Sequence, residues 1–339
     1  MKAVVLYGPR QVNTGDLPIP ALGDGDVRVK VAYCGICGSD FHKVAGKQNT
    51  RVITYPVALG HEISGIVEAV GEKVTDFKVG DRVTVDPNWS CGECIYCKNG
   101  KTSFCVRSRG VVKGMAETVT APQKNVYHLP DSLSLRDAAL AEPVACCLRG
   151  LDLLDMRAGE RVALVGFGAI GAIMLCLLKN SGAGEIAVIE YNEERRALAM
   201  EMGASAFFCS KDTEAISEYA RTHVVDRVIE CVGNSAAQQT ALSVAGRGAT
   251  VVMFGVSDAA ERLELSMYDA FIKELTIRTS FVNPHTSERA VRLLNSGSID
   301  CDRIIARIIS MEEAVEEFNN PKYSRLGKVL VEVAPPLQA

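Results

Sequence analysis

The feature that most constrains the fold is a glycine-rich turn between an apolar strand and a helix. The apolar segment Arg161–Val165 runs into Gly166-Phe167-Gly168-Ala169-Ile170-Gly171, and a helical pattern follows over 172–179. The glycines of a G-x-G-x-x-G turn permit a tight bend and a close approach of backbone to a pyrophosphate, while the following helix N-terminus presents the positive end of its dipole. The motif alone is weak, but its strand–turn–helix context is the one that a dinucleotide site requires. We therefore predict that a dinucleotide contacts Gly166, Gly168, Ala169, Ile170 and Gly171.

The acid that ends the next strand favours NAD as this dinucleotide. A second apolar segment over 185–189 ends at Glu190, nineteen residues after Gly171, where a carboxylate accepts hydrogen bonds from the adenosine ribose diol. An acid at this position repels a 2′-phosphate, so the sequence predicts NAD rather than NADP. Arg195 lies only a few residues after Glu190, which weakens the prediction of NAD over NADP. We nevertheless expect Arg195 and Arg196 on the exposed face of a helix over 193–202.

Two patterns of secondary structure divide the chain into two predicted domains. Up to about residue 120, short valine-rich segments separated by Gly, Pro and Asp indicate a small antiparallel barrel. These segments lie at 2–7, 26–33, 63–70, 82–86 and 116–121. From about 151 to 281, strands alternate with helices, as in a doubly wound parallel sheet. The predicted class is α/β, with a barrel-like domain at 1–149 and 282–339, rejoined by a last strand over 327–333, and a dinucleotide-binding domain at 150–281.

Charge and the N-terminal segment bear on location and partners. The 37 basic and 41 acidic residues give a formal net charge of −4, without the basic footprint of a nucleic-acid-binding protein. Residues 1–6 read as a strand and lack the charged start, apolar centre and cleavage site of a signal peptide. The most apolar helical segment, 170–178, is too short to span a bilayer. We expect a cytoplasmic protein that binds neither nucleic acid nor membranes.

Four of the twelve cysteines are closely spaced in a predicted lobe at 86–106. Cys91, Cys94, Cys97 and Cys105 form the pattern C-x2-C-x2-C-x7-C. Four thiolates can close a tetrahedron around zinc with no vacant position, so such an ion would hold a loop together without taking part in chemistry. An iron–sulfur cluster can use similar spacing, and a zinc knuckle for nucleic acid is the third reading. Seven other cysteines lie in apolar runs, as reduced core thiols do.

A second group of metal-binding residue types surrounds the run Gly60-His61-Glu62-Ile63-Ser64-Gly65. The upstream run Cys37-Gly38-Ser39-Asp40-Phe41-His42 adds a thiolate to the imidazole of His61 and the carboxylate of Glu62. Such a mixed set suits a zinc ion that keeps one position open for a small molecule. The alternative for a lone His-Glu dipeptide is a hydrogen-bonded pair in a turn. Cys37, Ser39 and the spaced glycines favour a reactive metal centre.

One further acid lies where burial is expected. Glu142 precedes Pro143 in a run of Ala, Leu and Cys, and Pro143 would break a continuous helix. A buried carboxylate is costly unless it is paired or lies near a metal. The alternative is a solvent-facing glutamate at the end of a helix.

Together these motifs resemble the zinc-containing medium-chain alcohol dehydrogenases over essentially the whole chain. The similarity comprises C-G-S-D-x-H at 37–42, G-H-E-x2-G-x5-G-x2-V from Gly60, the four-cysteine lobe, Glu142-Pro143 and G-x-G-x-x-G, in the family's order. Glu142-Pro143 and the segment 280–284 are most similar to the polyol, sorbitol-type branch. The resemblance implies a GroES-like barrel domain joined to a Rossmann domain, an active site in the cleft between them, and a homo-dimer or homo-tetramer.

The resemblance also implies two zinc ions per chain. Cys37, His61 and Glu62 would bind a catalytic zinc, with Glu142 approaching it directly or through water. Asp40 would fix the ring of His61. The four lobe cysteines would bind a structural zinc.

The implied reaction transfers a hydride between NAD and a secondary alcohol of a polyol, sugar acid, sugar phosphate or related small metabolite. Ser39 would accept the hydroxyl proton and His42 would pass it to solvent, the alternatives being a turn hydroxyl and a surface histidine. Where sorbitol-type enzymes of animals carry an aromatic residue and an Arg-Tyr pair, this chain has Lys43, Ser280 and Phe281. Lys43 is expected on the surface or facing an anionic substrate group. A threonine-type amino-alcohol dehydrogenase and a catalytically silent zinc and nucleotide binder are the alternative functions.

Overall fold

The computed structural model describes residues 1–47, 53–108 and 111–334 of the 339-residue chain. Backbone contacts divide the chain into two compact units. Unit 1 comprises Met1–Ala145, Asn283–Gly297 and the chain from Ile305 onward, and unit 2 comprises Cys146–Val282 and Ser298–Ile304.

The strands of the described residues are short. They are β1 (Lys2–Gly8), β2 (Gln11–Asp16), β3 (Asp26–Gly35), β4 (Val57–Ala58), β5 (Glu62–Val70), β6 (Arg82–Val85), β7 (Thr118–Pro122), β8 (Val126–His128), β9 (Arg161–Val165), β10 (Glu185–Glu190), β11 (Ala206–Cys209), β12 (Arg227–Glu230), β13 (Thr250–Met253), β14 (Thr276–Thr279), β15 (Ile305–Ile309) and β16 (Lys328–Glu332).

The α-helices of the described residues are α1 (Gly38–Val44), α2 (Ile95–Lys98), α3 (Leu135–Ala138), α4 (Ala141–Leu154), α5 (Ala169–Asn180), α6 (Arg196–Met202), α7 (Thr213–Thr222), α8 (Ser235–Val244), α9 (Met267–Lys273), α10 (Ser287–Asn295), α11 (Cys301–Ile304) and α12 (Met311–Asn319). The longest of the described α-helices is α4, and helices α5 to α9 alternate with the strands of unit 2. Three 3₁₀ turns lie at Thr102–Phe104, Gln123–Asn125 and Glu193–Arg195.

Unit 1 is built on two sheets. One has the order β2-β1-β4, and the other has the order β15-β16-β3-β5-β6-β8, with β7 also paired to β3. All pairings are antiparallel except that of β15 with β16. Alternating residues such as Val27, Val29 and Val31 point into the core and are fully buried, because side chains on a strand alternate between its faces. The valine-rich segments predicted from the sequence are strands β1, β3, β5, β6 and β7, to within two residues.

Strand β3 positions the candidate site. At its C-terminal end, Gly35 pairs with Glu62 of β5 on one side and with Leu330 of β16 on the other. The chain then reaches Cys37 and enters α1. Three distant parts of the sequence therefore meet where β3 ends.

Unit 2 contains a six-stranded parallel sheet of order β11-β10-β9-β12-β13-β14. The order reverses beside β9, which makes the carboxyl end of this strand a topological switch point, where open α/β sheets bind ligands. The strands read as apolar runs because both faces are covered: Leu164, Val228 and Val251 are fully buried. The helix after the glycine-rich turn begins at Ala169, and the helix predicted over 193–202 begins as a 3₁₀ turn.

The Glu142-Pro143 pair marks the start of a helix. Helix α3 ends at Ala138, and Pro143 lies in the first turn of α4, where its missing N–H costs no intrahelical hydrogen bond. The predicted break between two helices is present, but it falls at 139–140, and Glu142 and Pro143 lie within α4. In the part of the chain that the structure describes, no helix combines the length and apolar character needed to cross a bilayer.

Candidate metal and dinucleotide sites

The predicted metal ligands Cys37, His61 and Glu62 converge in unit 1. One ligand atom from each lies within 4.8 Å of the others, and His61 and Glu62 are buried. Cys37 caps α1, whereas His61 and Glu62 enter β5. Glu62 is held by its pairing with Gly35, whose missing side chain matters because a Cβ there would lie 1.8 Å from Glu62 Oε2.

An oxygen left without a partner fits a cation. Among the described residues, Glu62 Oε2 is buried without a hydrogen-bond partner. Buried polar atoms are rarely left unsatisfied, and each that is needs an explanation. A thiolate, an imidazole and a carboxylate are together the donors that a zinc ion with an open position uses. The residues present therefore fit a zinc ion.

Lys328 is a site residue that sequence reasoning missed. Its Nζ donates to Glu62 Oε1 at 2.7 Å and to the Ile36 carbonyl at 3.1 Å. The side chains of Lys328 and Glu62 are 3% and 1% exposed. Burial alone would lower the pKa of Lys328, but the charge of Glu62, with smaller effects from Cys37 and Glu142, raises it. One carboxylate oxygen of Glu62 is thus committed to a lysine, and the other remains for a metal.

Asp40 lies fully buried behind His61. Its Oδ2 accepts from the Cys37 backbone N–H at 3.2 Å, and its Oδ1 accepts from the Gly60 N–H at 3.4 Å. Oδ1 also lies 3.7 Å from His61 Nδ1, which is too far for a hydrogen bond. Asp40 therefore faces the imidazole, as the prediction of a role in fixing the ring requires, but does not bond it directly.

The expectation that Lys43 is a solvated surface lysine is wrong. Its Nζ donates to Asp40 Oδ1 at 2.9 Å, and its side chain is only 17% exposed. Burial alone would raise the pKa of Asp40, but the charges of Lys43 and His61 hold it below its usual value. Lys43 is therefore not a solvated surface lysine, because its Nζ is paired with Asp40. The i, i+3 spacing of Asp40 and Lys43 on a helix was the available signal.

The remaining predicted residues of this site lie on two helices of unit 1. Ser39 and His42 are on α1, both half-buried. Glu142 lies in the first turn of α4 and is 8% exposed, so it is buried and not solvent-facing. Its charge helps to raise the pKa of Lys328.

The four lobe cysteines form a second cluster, with their sulfur atoms within 4.8 Å of one another. The sulfur of Cys97 lies 3.5 Å from that of Cys94 and 3.9 Å from that of Cys91, and none of the cysteines of the described residues forms a disulfide. Backbone N–H groups of Glu93 and Cys94 point at the sulfur of Cys91, and the N–H of Cys97 lowers the pKa of Cys94 to about 6. Such N–H groups favour thiolates, so this cluster can hold a metal with four sulfur ligands.

The glycine-rich turn of unit 2 has the predicted close packing. A Cβ on Gly171 would lie 2.2 Å from the Gly166 carbonyl oxygen, so only glycine allows helix α5 to approach the turn. Glu190 Oε2 accepts from the Phe167 N–H at 2.6 Å, and its Oε1 accepts from the Asn192 N–H at 2.9 Å. The acid predicted to bind the ribose therefore also holds the turn.

Arg195 is not on an exposed helical face. It is half-buried at the N-cap of α6, and its guanidinium lies 5.5 Å from the centre of the Phe167 ring. Burial lowers the pKa of Arg195, and the charge of Glu190 opposes this shift. Arg196, by contrast, is exposed. Arg195 thus lies beside the glycine-rich turn.

Comparison with known proteins identifies the family. Residues 23–131 match the alcohol dehydrogenase GroES-like domain, and residues 169–296 match the zinc-binding dehydrogenase domain. Sorbitol dehydrogenase of Bacillus subtilis (strain 168) is 32% identical over 322 residues, which cover 92% of this chain and 91% of that protein. The chain belongs to the zinc-containing medium-chain alcohol dehydrogenases. It is therefore a zinc-dependent oxidoreductase, and the predicted combination of a GroES-like and a Rossmann fold is confirmed.

Solved structures agree with this membership. A zinc-binding dehydrogenase from Sinorhizobium meliloti 1021 bound to NADP is 36% identical, with a TM-score of 0.91 and 98% of each chain covered. Galactitol-1-phosphate dehydrogenase from Escherichia coli is 28% identical, with a TM-score of 0.90 over 98% of this chain and 100% of that one. The polyol branch predicted for this dehydrogenase is thereby supported.

Unit 2 of this dehydrogenase contains another buried acid that sequence reasoning missed. Glu230 ends β12 and is fully buried, and its Oε1 accepts from the backbone N–H groups of Val232 and Gly233 at 2.5 and 2.6 Å. Burial raises the pKa of Glu230, and these N–H groups oppose the shift. The carboxylate thus holds the turn that follows β12, beside the switch point. An acid at a strand end just before Gly233 was the signal available in the sequence.

Proposed function

We propose that this dehydrogenase transfers a hydride between NAD and a secondary alcohol of a polyol, sugar acid, sugar phosphate or related small metabolite. The observation that carries the proposal is the convergence of Cys37, His61 and Glu62 in unit 1, with a buried Glu62 oxygen that no described residue satisfies. The relatives that act on sorbitol and galactitol-1-phosphate support the substrate class.

The proposal includes two zinc ions per chain. Cys37, His61 and Glu62 hold the first, with Glu142 approaching it, and the four lobe cysteines hold the second. When bound, the first zinc supplies a Lewis acid that makes a substrate hydroxyl more acidic. The second has four sulfur ligands and no vacant position, so it stabilises the lobe.

Ser39 and His42 move the proton in this proposal. Both lie on α1, the helix that begins beside the ligand Cys37. The Ser39 hydroxyl accepts the substrate proton, and His42 passes it to solvent. Their partial exposure is compatible with these roles.

We assign NAD binding to residues 150–281. The backbone at Gly166, Gly168, Ala169, Ile170 and Gly171 holds the pyrophosphate at the N-terminus of α5. Glu190 accepts from the ribose diol and disfavours a 2′-phosphate, which supports NAD. Arg195 beside the turn and the NADP-bound relative are the reasons to test both cofactors.

Metal analysis and a substrate panel test the function together. The purified chain should contain two zinc ions, and a chelator should remove one of them first, with loss of NADH formation. Polyols, aldonates, polyol phosphates and L-threonine are then compared by NADH absorbance. Turnover of threonine alone would contradict the substrate class. A single tightly held zinc without any NAD reduction would contradict the enzymatic function.

We further propose a cytoplasmic homo-dimer or homo-tetramer. Strand β14 lies at the edge of the unit 2 sheet, and the neighbouring helix α9 exposes Met267, Tyr268 and Phe271, each by 70% or more. An unpaired strand edge beside exposed apolar residues is typical of an association surface. The thiolates of the lobe require a reducing compartment, which favours the cytoplasm.

A further inference from the structure

Lys43 forms an ion pair with Asp40, the carboxylate that faces the His61 ring. Lys43 Nζ is 2.9 Å from Asp40 Oδ1, and this same oxygen is the one that faces His61 Nδ1 at 3.7 Å. Among the described residues, Nδ1 has no hydrogen-bond partner. The carboxylate oxygen that faces the imidazole thus accepts from Lys43 and from the Gly60 N–H, and lies beyond hydrogen-bond distance of His61.

A carboxylate that accepts from the second ring nitrogen of a histidine ligand fixes the ring and increases the basicity of the ligand. A lysine on the carboxylate opposes both effects, because it neutralises the charge that would be shared with the imidazole. A second carboxylate of the site is also paired with a lysine, because the buried Lys328 donates to Oε1 of Glu62. A partly buried and a fully buried ammonium group thus lie beside one small set of metal ligands.

We propose that Lys43 is a positioning residue that holds Asp40 away from His61, and thereby weakens metal binding while strengthening the Lewis acidity of the bound metal. This inference rests on the proposed function. A metal whose ligands donate less negative charge withdraws more electron density from a bound substrate and is released more readily.

A direct substrate contact by Lys43 is disfavoured by the same geometry. Any movement of Lys43 toward a substrate that broke its contact with Asp40 would leave a fully buried carboxylate without its cation. A buried carboxylate without its cation is strongly destabilising. Lys43 therefore acts through Asp40 and His61.

The test follows the release of zinc from the intact, metal-loaded protein to a coloured chelator. We expect Lys43→Met and Lys43→Gln to release the first zinc about tenfold more slowly than wild type, the scale of effects seen when partners of metal ligands change. Lys43→Arg keeps the charge and should restore the wild-type rate. Alcohol oxidation should slow in the two neutral variants although zinc remains bound.

Two controls distinguish an effect of the charge on Asp40 from a general effect of removing a lysine on zinc release. Lys73 pairs with Asp24 at the same 2.9 Å, but these side chains are 77% and 60% exposed, so Lys73→Met should leave zinc release unchanged. In an Asp40→Asn background, Lys43→Met should no longer slow release, because there is no carboxylate charge to free. A Co²⁺-substituted protein should show a shifted visible spectrum in Lys43→Gln only when Asp40 is present.

Folded neutral variants that release zinc at the wild-type rate or faster would overturn the inference, as would equal slowing in the Asp40→Asn background. A wild-type protein without a chelatable zinc would instead contradict the proposed function itself. Because wild type is measured first, the two failures are distinguishable.

Discussion

The absence of a side chain at Gly35 decides whether Glu62 can reach a metal. Any Cβ there would lie 1.8 Å from Glu62 Oε2, the oxygen left for a cation. We expect Gly35→Ala to displace the carboxylate and to lower zinc affinity on the order of 10- to 100-fold, as other losses of support around metal ligands do. Zinc titration in competition with a chelator measures this affinity.

Gly25→Ala is the matched control for this change, because a Cβ at Gly25 meets nothing within 4 Å. It should leave the affinity unchanged. Wild-type affinity in Gly35→Ala would show that Glu62 is not a ligand, since its position could not then matter.

At the scale of single elements, Glu190 at the end of β10 has two hydrogen-bonding roles. The carboxylate accepts from the Phe167 N–H of the glycine-rich turn and is placed to accept from a ribose diol. Glu190→Gln keeps an acceptor for Phe167 but removes the charge. We expect wild type to bind NADH more tightly than NADPH. In the variant, the ratio of the NADPH dissociation constant to the NADH dissociation constant should fall about tenfold, because charge repulsion of the 2′-phosphate is lost.

Calorimetric titration of both cofactors measures this ratio without turnover. Glu185→Gln, at the other end of β10, is the control, since Glu185 pairs with Arg161 far from the turn. An unchanged ratio in Glu190→Gln would contradict the role of the charge in cofactor choice.

Helix α12 holds the following loop through a single carboxylate. Glu317 is buried and accepts from the backbone N–H groups of Lys322, Tyr323 and Ser324. Burial alone would raise the pKa of Glu317, but these N–H groups lower it. A pKa lowered by folding contributes stability above the unfolded value of about 4.3, and this stability is lost as the pH falls through the folded pKa.

We therefore expect Glu317→Gln to lower the free energy of unfolding by about 1–3 kcal/mol at pH 7. The difference in free energy of unfolding between wild type and variant should become smaller at pH 4 and below. Urea unfolding at pH 7 and at pH 4 measures this difference, and Glu316→Gln, at an exposed neighbouring residue, is the control. A difference that is constant with pH would exclude the charge as its cause.

At the scale of the whole molecule, we propose helix α9 and strand β14 as the association surface. Phe271 is 81% exposed, so a charge there costs the monomer little but would be buried in an oligomer without a partner. We expect Phe271→Asp to yield monomers in light scattering, with an unchanged circular dichroism spectrum. Val79→Asp replaces another exposed apolar residue, in unit 1, and should leave the mass of the assembly unchanged.

The parts that were predictable from sequence share a local cause. The spacing of the lobe cysteines, the run Gly60-His61-Glu62 and the turn from Gly166 each carry their geometry in a few consecutive residues. Lys328 could not be predicted, because its partner Glu62 lies 266 positions away and the two meet only through the pairing of β16 with β3. Arg195 was misjudged because it ends a 3₁₀ turn and α6 begins only at Arg196, so Arg195 is not part of the expected α-helical face.

The separation between Glu62 and Lys328 also sets an order of events in biosynthesis. At the usual rate of translation, a separation of 266 residues takes on the order of tens of seconds to synthesise. A nascent polypeptide therefore presents Cys37, His61 and Glu62 long before the ammonium group that neutralises Glu62 exists. A metal ion that binds to the nascent chain meets ligands that are more negative and less ordered than those of the folded enzyme. Selectivity among competing metals is therefore decided when the last strand pairs with the sheet.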